Sequence, residues 1–408
     1  MELKKKRPEL YFAGFSEDWI LSKIGDIGDV KMCKRIFSKQ TKDKGDIPFY
    51  KIGTFGKKAD SFITYELYQE YLEKFSFPKK GDILISASGT IGRTVVYDGE
   101  PAYFQDSNIV WVNNDEAKIL NEFLYYVYKN ISFESEGGTI QRLYNNIILN
   151  AKFYYPTSNK VQNLVLGFFK NIDELISKHQ MKYERLVTLK KSMLEKMFPK
   201  KGQTVPEIRF KGFEGEWVSL EFHKTCWFQE GPGLRHWQFT TSGIKVINVT
   251  NLVNGFLSLE KTDRHISLDE FQKMYKHFEI QENDIVVASS GNSYGKVSVV
   301  RNCDLPLMMN TSVIRFKPFS NLDYDYLLTF LTSRYFKNQI DLLITGGAQP
   351  NFGPVHLNEI KIHMPPTINE QANVGSYFLT LERLISNNQK QIEKLSNFKK
   401  SLSEKMFV

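Results

Sequence analysis

Two short segments combine glycines, hydroxyl side chains and a closing basic residue, a set suited to meeting a phosphate or a base edge. They are Ser86-Ala87-Ser88-Gly89-Thr90-Ile91-Gly92-Arg93 and Ala288-Ser289-Ser290-Gly291-Asn292-Ser293-Tyr294-Gly295-Lys296. Small residues let a backbone approach a ligand closely, hydroxyls offer hydrogen bonds, and Arg93 or Lys296 supplies charge. A glycine-rich turn with no ligand has the same composition; recurrence, each time with a basic residue, is what favours binding. Ser88, Thr90, Arg93, Ser290, Asn292, Tyr294 and Lys296 are the candidates here. A second recurring pair is Gly137-Gly138-Thr139-Ile140-Gln141-Arg142-Leu143-Tyr144-Asn145-Asn146 and Gly346-Gly347-Ala348-Gln349-Pro350-Asn351-Phe352. Gln and Asn can pair bidentately with adenine and Arg with guanine, so Gln141, Arg142, Asn145, Gln349 and Asn351 join the set. The same amides also cap local turns, and that reading stays open. Lys51, Lys57, Lys58, Arg235, His236 and Trp237 are further basic or aromatic positions, each equally at home on a solvated surface.

Catalytic chemistry leaves little trace. Gly291–Lys296 is one residue short of a P-loop and lacks the following Ser or Thr. No HExxH occurs, and Pro365-Pro366, flanked by Met364 and Thr367, is not the [DN]PP[YF] of amino-methyltransferases. Glu359-Ile360-Lys361, with Asp341 upstream, has the spacing of some metal-dependent nucleases, but Ala151 stands opposite Glu359 in the repeat described next. Three distant cysteines with no CxxC read as isolated thiols in a reducing compartment. The expectation is a chain that catalyses nothing by itself and binds no metal.

The elements that position these segments come in two copies. Pro8-Glu9-Leu10-Tyr11-Phe12-Ala13-Gly14-Phe15 with Trp19 returns as Pro206-Glu207-Ile208-Arg209-Phe210-Lys211-Gly212-Phe213 with Trp217, an offset of 198. Asp82-Ile83-Leu84-Ile85 returns at 202, and the tail Leu175–Phe198 returns as Leu384–Phe407 at a constant 209. A repeat this long is a duplicated domain. The drifting offset marks variable interiors; the constant one marks a rigid end. The interiors read as mixed α and β. Short apolar runs at Ile83–Ile85, Val95–Tyr97, Ile109–Val112, Ile285–Val287, Val297–Val300 and Ser312–Phe316 are the expected strands. Helices are expected around Leu67–Phe75, Leu120–Tyr128, Leu268–His277 and Tyr324–Phe336.

From Asn159 to Phe198 no proline occurs and only one glycine, Gly167. The spacing of Ile172, Ile176, His179, Tyr183, Leu186, Lys190, Met193 and Met197 alternates between four and three, as in a coiled-coil seam. Leu381, Ile385, Asn388, Ile392, Leu395, Lys399, Leu402 and Met406 repeat it, irregularities included. Two such helices lying on their own domains would be one arrangement. About 40 residues at ~1.5 Å each, however, overhang a domain of this size, which favours the two helices packing antiparallel on each other.

Length, with 41% hydrophobic and 25% charged residues, fits two or three soluble domains. The net charge of +8 permits nucleic-acid binding without requiring it. No run of 18 apolar residues exists, and no apolar region follows the basic start, so neither a spanning helix nor a signal peptide is expected.

Taken together, the two module openings (Pro8–Trp19 and Pro206–Trp217), the Asp82–Arg93 stretch, the Gly-Gly…Gln segments and Pro365-Pro366-Thr367-Ile368-Asn369-Glu370-Gln371 resemble the specificity subunit of type I restriction–modification systems. The resemblance covers essentially the whole chain. It departs at Pro156-Thr157-Ser158-Asn159-Lys160-Val161-Gln162, which keeps the glutamine but lacks the paired proline and the glutamate.

The resemblance implies an α+β fold of two similar mixed α/β target recognition domains in pseudo-two-fold arrangement, separated by two long spacer helices forming an antiparallel coiled coil. The implied boundaries are recognition domain 1 over 1–157, spacer helix 1 over 158–199, recognition domain 2 over 200–366 with a short linker 200–206, and spacer helix 2 over 367–408. Each recognition domain would read one half of a split, asymmetric target in double-stranded DNA. The helices would set the spacing and dock two methyltransferase subunits, with restriction subunits in the full cytoplasmic complex. S-adenosylmethionine, ATP and Mg would sit on those partners and none on this chain. The alternative is a coiled-coil adaptor or regulatory protein that binds proteins only.

Overall fold

The computed structural model describes residues 5–131, 133, 142–200, 202–260, 262, 264–344 and 351–407. The chain divides into two compact units. One holds residues 1–179 together with 390–408, the other residues 180–389.

In the first unit a four-stranded antiparallel sheet runs in the order Gly28–Met32, Ile109–Asn114, Ile83–Ser86, Thr94–Val96. Ile83, Ile85, Val110 and Val112 pack on the helix Asn121–Asn130, whose Phe123, Leu124 and Val127 are buried. The other face carries Leu84, Ile109 and Trp111 into a second apolar cluster with Phe55, Tyr97 and Tyr103. Burial on both faces explains why these strands read as continuous apolar runs rather than alternating ones. A small sheet joins Phe62–Ile63, Ile47–Tyr50 and Tyr103–Phe104, its last pair parallel.

The second unit repeats the four-stranded sheet as Cys226–Glu230, Val313–Pro318, Ile285–Ala288, Val297–Val299, again antiparallel. Its parallel pair is Ile244–Ile247 with Leu307–Met309. The helix expected near Tyr324–Phe336 is two helices, Tyr324–Thr332 and Arg334–Leu343. Ser333 makes the break: its hydroxyl donates to the Phe330 carbonyl and accepts from the Phe336 N–H at 3.2 Å, capping the second helix. Around Leu268 only one α-turn forms before π and 3₁₀ turns continue to Phe278.

The spacer helices are Asn159–Lys196 and Ile368–Met406. Each of the sixteen seam positions is buried or half-buried, and within each unit the two helices run antiparallel. In the first unit Lys399 pairs with Asp173; in the second Lys190 pairs with Glu382. Both members of one pair lie 209 residues from their counterparts in the other, so the seam lysines are one ion pair written twice. Asn388 is buried and donates to the Leu384 carbonyl.

Each unit is closed by a helix end. Phe407 packs among Trp19, Phe123, Tyr126 and Phe169 with centroids 5.5–6.5 Å apart. Phe198 does the same with Trp217, Tyr326 and Phe378. The module openings cap those ends. Leu10 N–H donates to the Lys405 carbonyl at 3.3 Å, and Ile208 N–H to the Lys196 carbonyl at 2.9 Å, satisfying carbonyls a helix terminus otherwise leaves open.

Where each spacer helix begins, one fully buried glutamine holds it. Gln162 accepts from Leu120 N–H at 2.9 Å and donates to the carbonyls of Lys118 and Pro156, each at 3.0 Å. Gln371 accepts from Asp323 N–H at 2.8 Å and donates to those of Asn321 and Pro365. The glutamine that both copies retain therefore fastens helix to module. In the second unit only, the neighbouring Glu370 also takes a bidentate grip from Arg209 at 2.7 and 2.8 Å. Tyr11 and Val161 stand at those places in the first copy.

No helix among the described residues is long and apolar enough to cross a membrane.

Candidate nucleic-acid interface

The two candidate loops of each module meet. In the first, Leu143 N–H donates to the Ala87 carbonyl at 2.8 Å, and Ser88 bridges Arg142. In the second, Phe352 N–H donates to the Ser289 carbonyl at 3.0 Å, and Ser290 bridges Asn351. Leu143 and Phe352 are buried and anchor the second loop, leaving their neighbours Arg142 and Asn351 exposed beside the first. Like backbones thus present unlike side chains, an arginine in one module and an asparagine in the other.

The first loop joins an interior strand of the four-stranded sheet to its edge strand and owes its shape to two left-handed glycines. Gly89 and Gly291 both sit at φ +67°, Gly92 and Gly295 at +77° and +79°, a region costly for residues with a Cβ. Ser86 N–H donates to the Arg93 carbonyl and Gly92 N–H returns to that of Ser86; Ala288, Lys296 and Gly295 repeat the pattern. In the first module the Ser86 hydroxyl adds a bond to the Thr90 carbonyl and accepts from Arg93 N–H at 2.9 Å. Alanine at 288 has no such bonds.

Individual candidates are placed as follows. Thr90, Arg93, Arg142, Asn145, Lys296 and Asn351 are exposed. Arg93 also ties back to the Phe55 carbonyl at 2.9 Å while the residue stays exposed. Ser88 is turned inward, 7% exposed, with its hydroxyl donating to Asn108 at 2.7 Å. It supports the loop rather than presenting itself. Ser290 is half-buried. Tyr294 is half-buried too; its hydroxyl donates to Asp341, which raises the phenol pKa, and Lys337 lies over its ring at 5.1 Å. That bond also engages Asp341 of the Glu359/Lys361 spacing, and Glu359 is exposed. Gln141 and Gln349, and the side chain of Asn292, lie outside the described residues. The helix-seam candidates Ile172, Ile176, Tyr183, Leu186, Leu381, Ile385, Ile392 and Leu395 are each buried or half-buried.

Strand register puts these loops at a definite end of the sheet. Ser86 lies opposite Ile109, and Ala288 opposite Val313. Missed in the sequence was the role of Asn108 as buttress; a polar residue just before an apolar run gives no such signal by itself.

A family model described as the type I restriction modification DNA specificity domain matches residues 16–212 and 238–397. The putative type I restriction enzyme specificity subunit S.HindORF215P of Haemophilus influenzae is 60% identical over 143 residues, 35% of this chain and 37% of that protein. The match thus spans little more than a third of that relative. The type I restriction enzyme MjaVIII specificity subunit of Methanocaldococcus jannaschii is 22% identical over 97% of this chain and 93% of its own. Among solved structures, the S subunit of a type I restriction–modification system from M. genitalium superposes with a TM-score of 0.67 at 15% identity, covering 98% of this chain and 99% of that one. At that identity the likeness shows a shared fold.

Proposed function

From the premise that the chain belongs to the type I restriction modification DNA specificity domain family, we propose that it is the DNA-specificity subunit of a type I restriction–modification complex, without catalysis of its own. Each module reads one half of an asymmetric bipartite target in double-stranded DNA. The observation that carries this reading is the paired loops, which share closing hydrogen bonds and left-handed glycines but differ in side chain and, by one residue, in length. Arg142 in the first module suits guanine or phosphate, and Asn351 in the second suits adenine. Thr90, Arg93 and Lys296 add hydrogen bonds and phosphate contacts that position the duplex. The helices set the distance between half-sites and offer docking surface to two methyltransferase subunits. Restriction subunits join the full cytoplasmic complex, and S-adenosylmethionine, ATP and Mg act on those partners.

The test is co-expression with a methyltransferase subunit, followed by mapping of methyladenine across genomic DNA. A split motif with two unlike halves is expected. Absence of methylation at any split motif refutes the reading. Binding of the assembled complex to duplex DNA should weaken steeply with salt, because phosphate contacts dominate affinity; salt-independent behaviour would instead favour a protein-only adaptor.

A further inference from the structure

A third segment emerges at the same sheet end as the paired loops, in both modules. Met32 and Ile85 both lie opposite Val110, and Glu230 and Val287 both lie opposite Ile314. The chain leaving Met32 or Glu230 therefore starts where the candidate loops start. A few residues on, it forms a single 3₁₀ turn, Ser38–Gln40 in the first module and His236–Gln238 in the second.

One glutamine fixes each turn. Phe37 N–H donates to Gln40 Oε1 at 2.9 Å, and Gln40 Nε2 donates to the Tyr71 hydroxyl at 3.4 Å. Arg235 N–H donates to Gln238 Oε1 at 2.8 Å, while Gln238 Nε2 donates to Glu270 at 2.5 Å and to the Tyr275 hydroxyl at 3.0 Å. Only the glutamine is common to the two turns. Ahead of it stand Phe37-Ser38-Lys39 in one and Arg235-His236-Trp237 in the other, all exposed. Phe37 is 55% exposed and Trp237 is 79% exposed.

A folded chain gains nothing for its own stability by holding an indole almost wholly in water on a clamped turn. Toward DNA the same placement is useful. Trp and Phe offer apolar faces to the thymine methyl group or to an unstacked base, and the adjoining Arg235 and His236 offer donors to phosphate or to a guanine edge.

We propose that the Arg235–Gln238 turn is a third recognition segment of the second module, with Trp237 touching a base of the half-site that this module reads. Ser38–Gln40, with Phe37 ahead of it, is its counterpart in the first module. Unlike residues on a common clamp then contribute to the difference between half-sites. The inference rests on the DNA-reading function proposed above and names residues for it.

The experiment compares Trp237→Ala and Trp237→Phe with the parent, each co-expressed with the methyltransferase subunits, purified as the complex and mapped for methyladenine. Being so exposed, Trp237 can be truncated without opening the core; thermal unfolding and size-exclusion elution should match the parent. The expected result is about a ten-fold or greater fall in methylation, or relaxed base choice, confined to the second half-site. Trp237→Phe should recover part of it, with the first half of the motif unchanged in both. An unaltered motif and rate overturn the inference, as does loss of complex assembly, which would make Trp237 a protein contact. A parent complex that methylates no split motif fails at the earlier step, before any variant is compared.

Discussion

Arg209 is the residue whose removal should separate the two modules energetically. Its guanidinium meets Glu370 through two parallel bonds, and the carboxylate is 1% exposed, with Trp217 Nε1 as a further donor at 3.4 Å. Arg209→Ala would leave a carboxylate out of water with that single long bond. Breaking a buried pair from one side costs about 3–5 kcal/mol, and the two further bonds from Arg209 to the Gly215 and Glu214 carbonyls are lost with it. The first module places Tyr11 and buried Val161 where Arg209 and Glu370 stand, so the double variant Arg209→Tyr, Glu370→Val installs the residues that the other copy carries at those places. Because apolar replacement of a buried pair is often neutral, the double variant should return to within about 1 kcal/mol of the parent. Hydrogen–deuterium exchange, resolved by segment, is the assay. At about 1.4 kcal/mol per factor of ten, Arg209→Ala should speed exchange roughly a hundred-fold or more around Trp217, Tyr326 and Phe378. Segments around Trp19 and Phe123 should change far less. A single variant that costs under about 1 kcal/mol, or a double variant that recovers nothing, would refute the assignment of that energy to the buried charge.

Gln162→Leu should destabilise by about 3 kcal/mol, since it strands one buried N–H and two carbonyls; urea denaturation reports it, and a loss below about 1 kcal/mol argues against the clamp. Burial, and to a lesser degree Lys361, depress the pKa of His363 below its ordinary value. Its contribution to stability is therefore complete above about pH 6.5 and is lost as pH falls from there through the folded value. Melting curves of His363→Gln should show a weaker decline than the parent over that window. Burial pushes the Cys33 thiol up to about 12 and raises that of Cys226 as well, whereas Cys303 is exposed. Iodoacetamide at neutral pH should label Cys303 alone in the native protein, by peptide mass spectrometry. A heptad inserted into the first spacer helix alone, between Asp173 and Lys190, displaces one of the two ion pairs and should alter or abolish the methylated motif; an unchanged motif would mean the helices are not a ruler.

Several of these features were legible in the sequence because they are periodic or duplicated. The seam positions announced the long helices by their spacing, and even Lys190 and Lys399, polar intruders in an apolar seam, were flagged by repeating together. Their partners Asp173 and Glu382 were not, since cross-helix contacts have no local signature. Strand cores such as Ile83–Ile85 stood out because burial on both faces makes them continuously apolar. What stayed hidden depends on where distant segments meet. Nothing local says that Leu143 docks beside Ala87, or that Phe407 fills a space beside Trp19. Gln40 and Gln238 were visible only as one matching residue amid a divergent stretch, and a lone match of that kind carries little weight until its bonds to Tyr71 and Tyr275 are seen. The helix break at Ser333 was missed because serine is compatible with a helix interior, and only the backbone around it reveals a cap.

The Met-Phe pairs that end the spacer helices also govern the order in which this protein can be completed during synthesis. The ribosome makes residues 1–179 of the first unit early, yet Met406 and Phe407, which pack with Trp19 and Phe123, follow only after the whole second unit. Until they arrive, an aromatic hollow beside Trp19 stays open, and the early unit waits on the late one. A chain cut short between residues 200 and 389 would consequently lack part of the first unit along with part of the second.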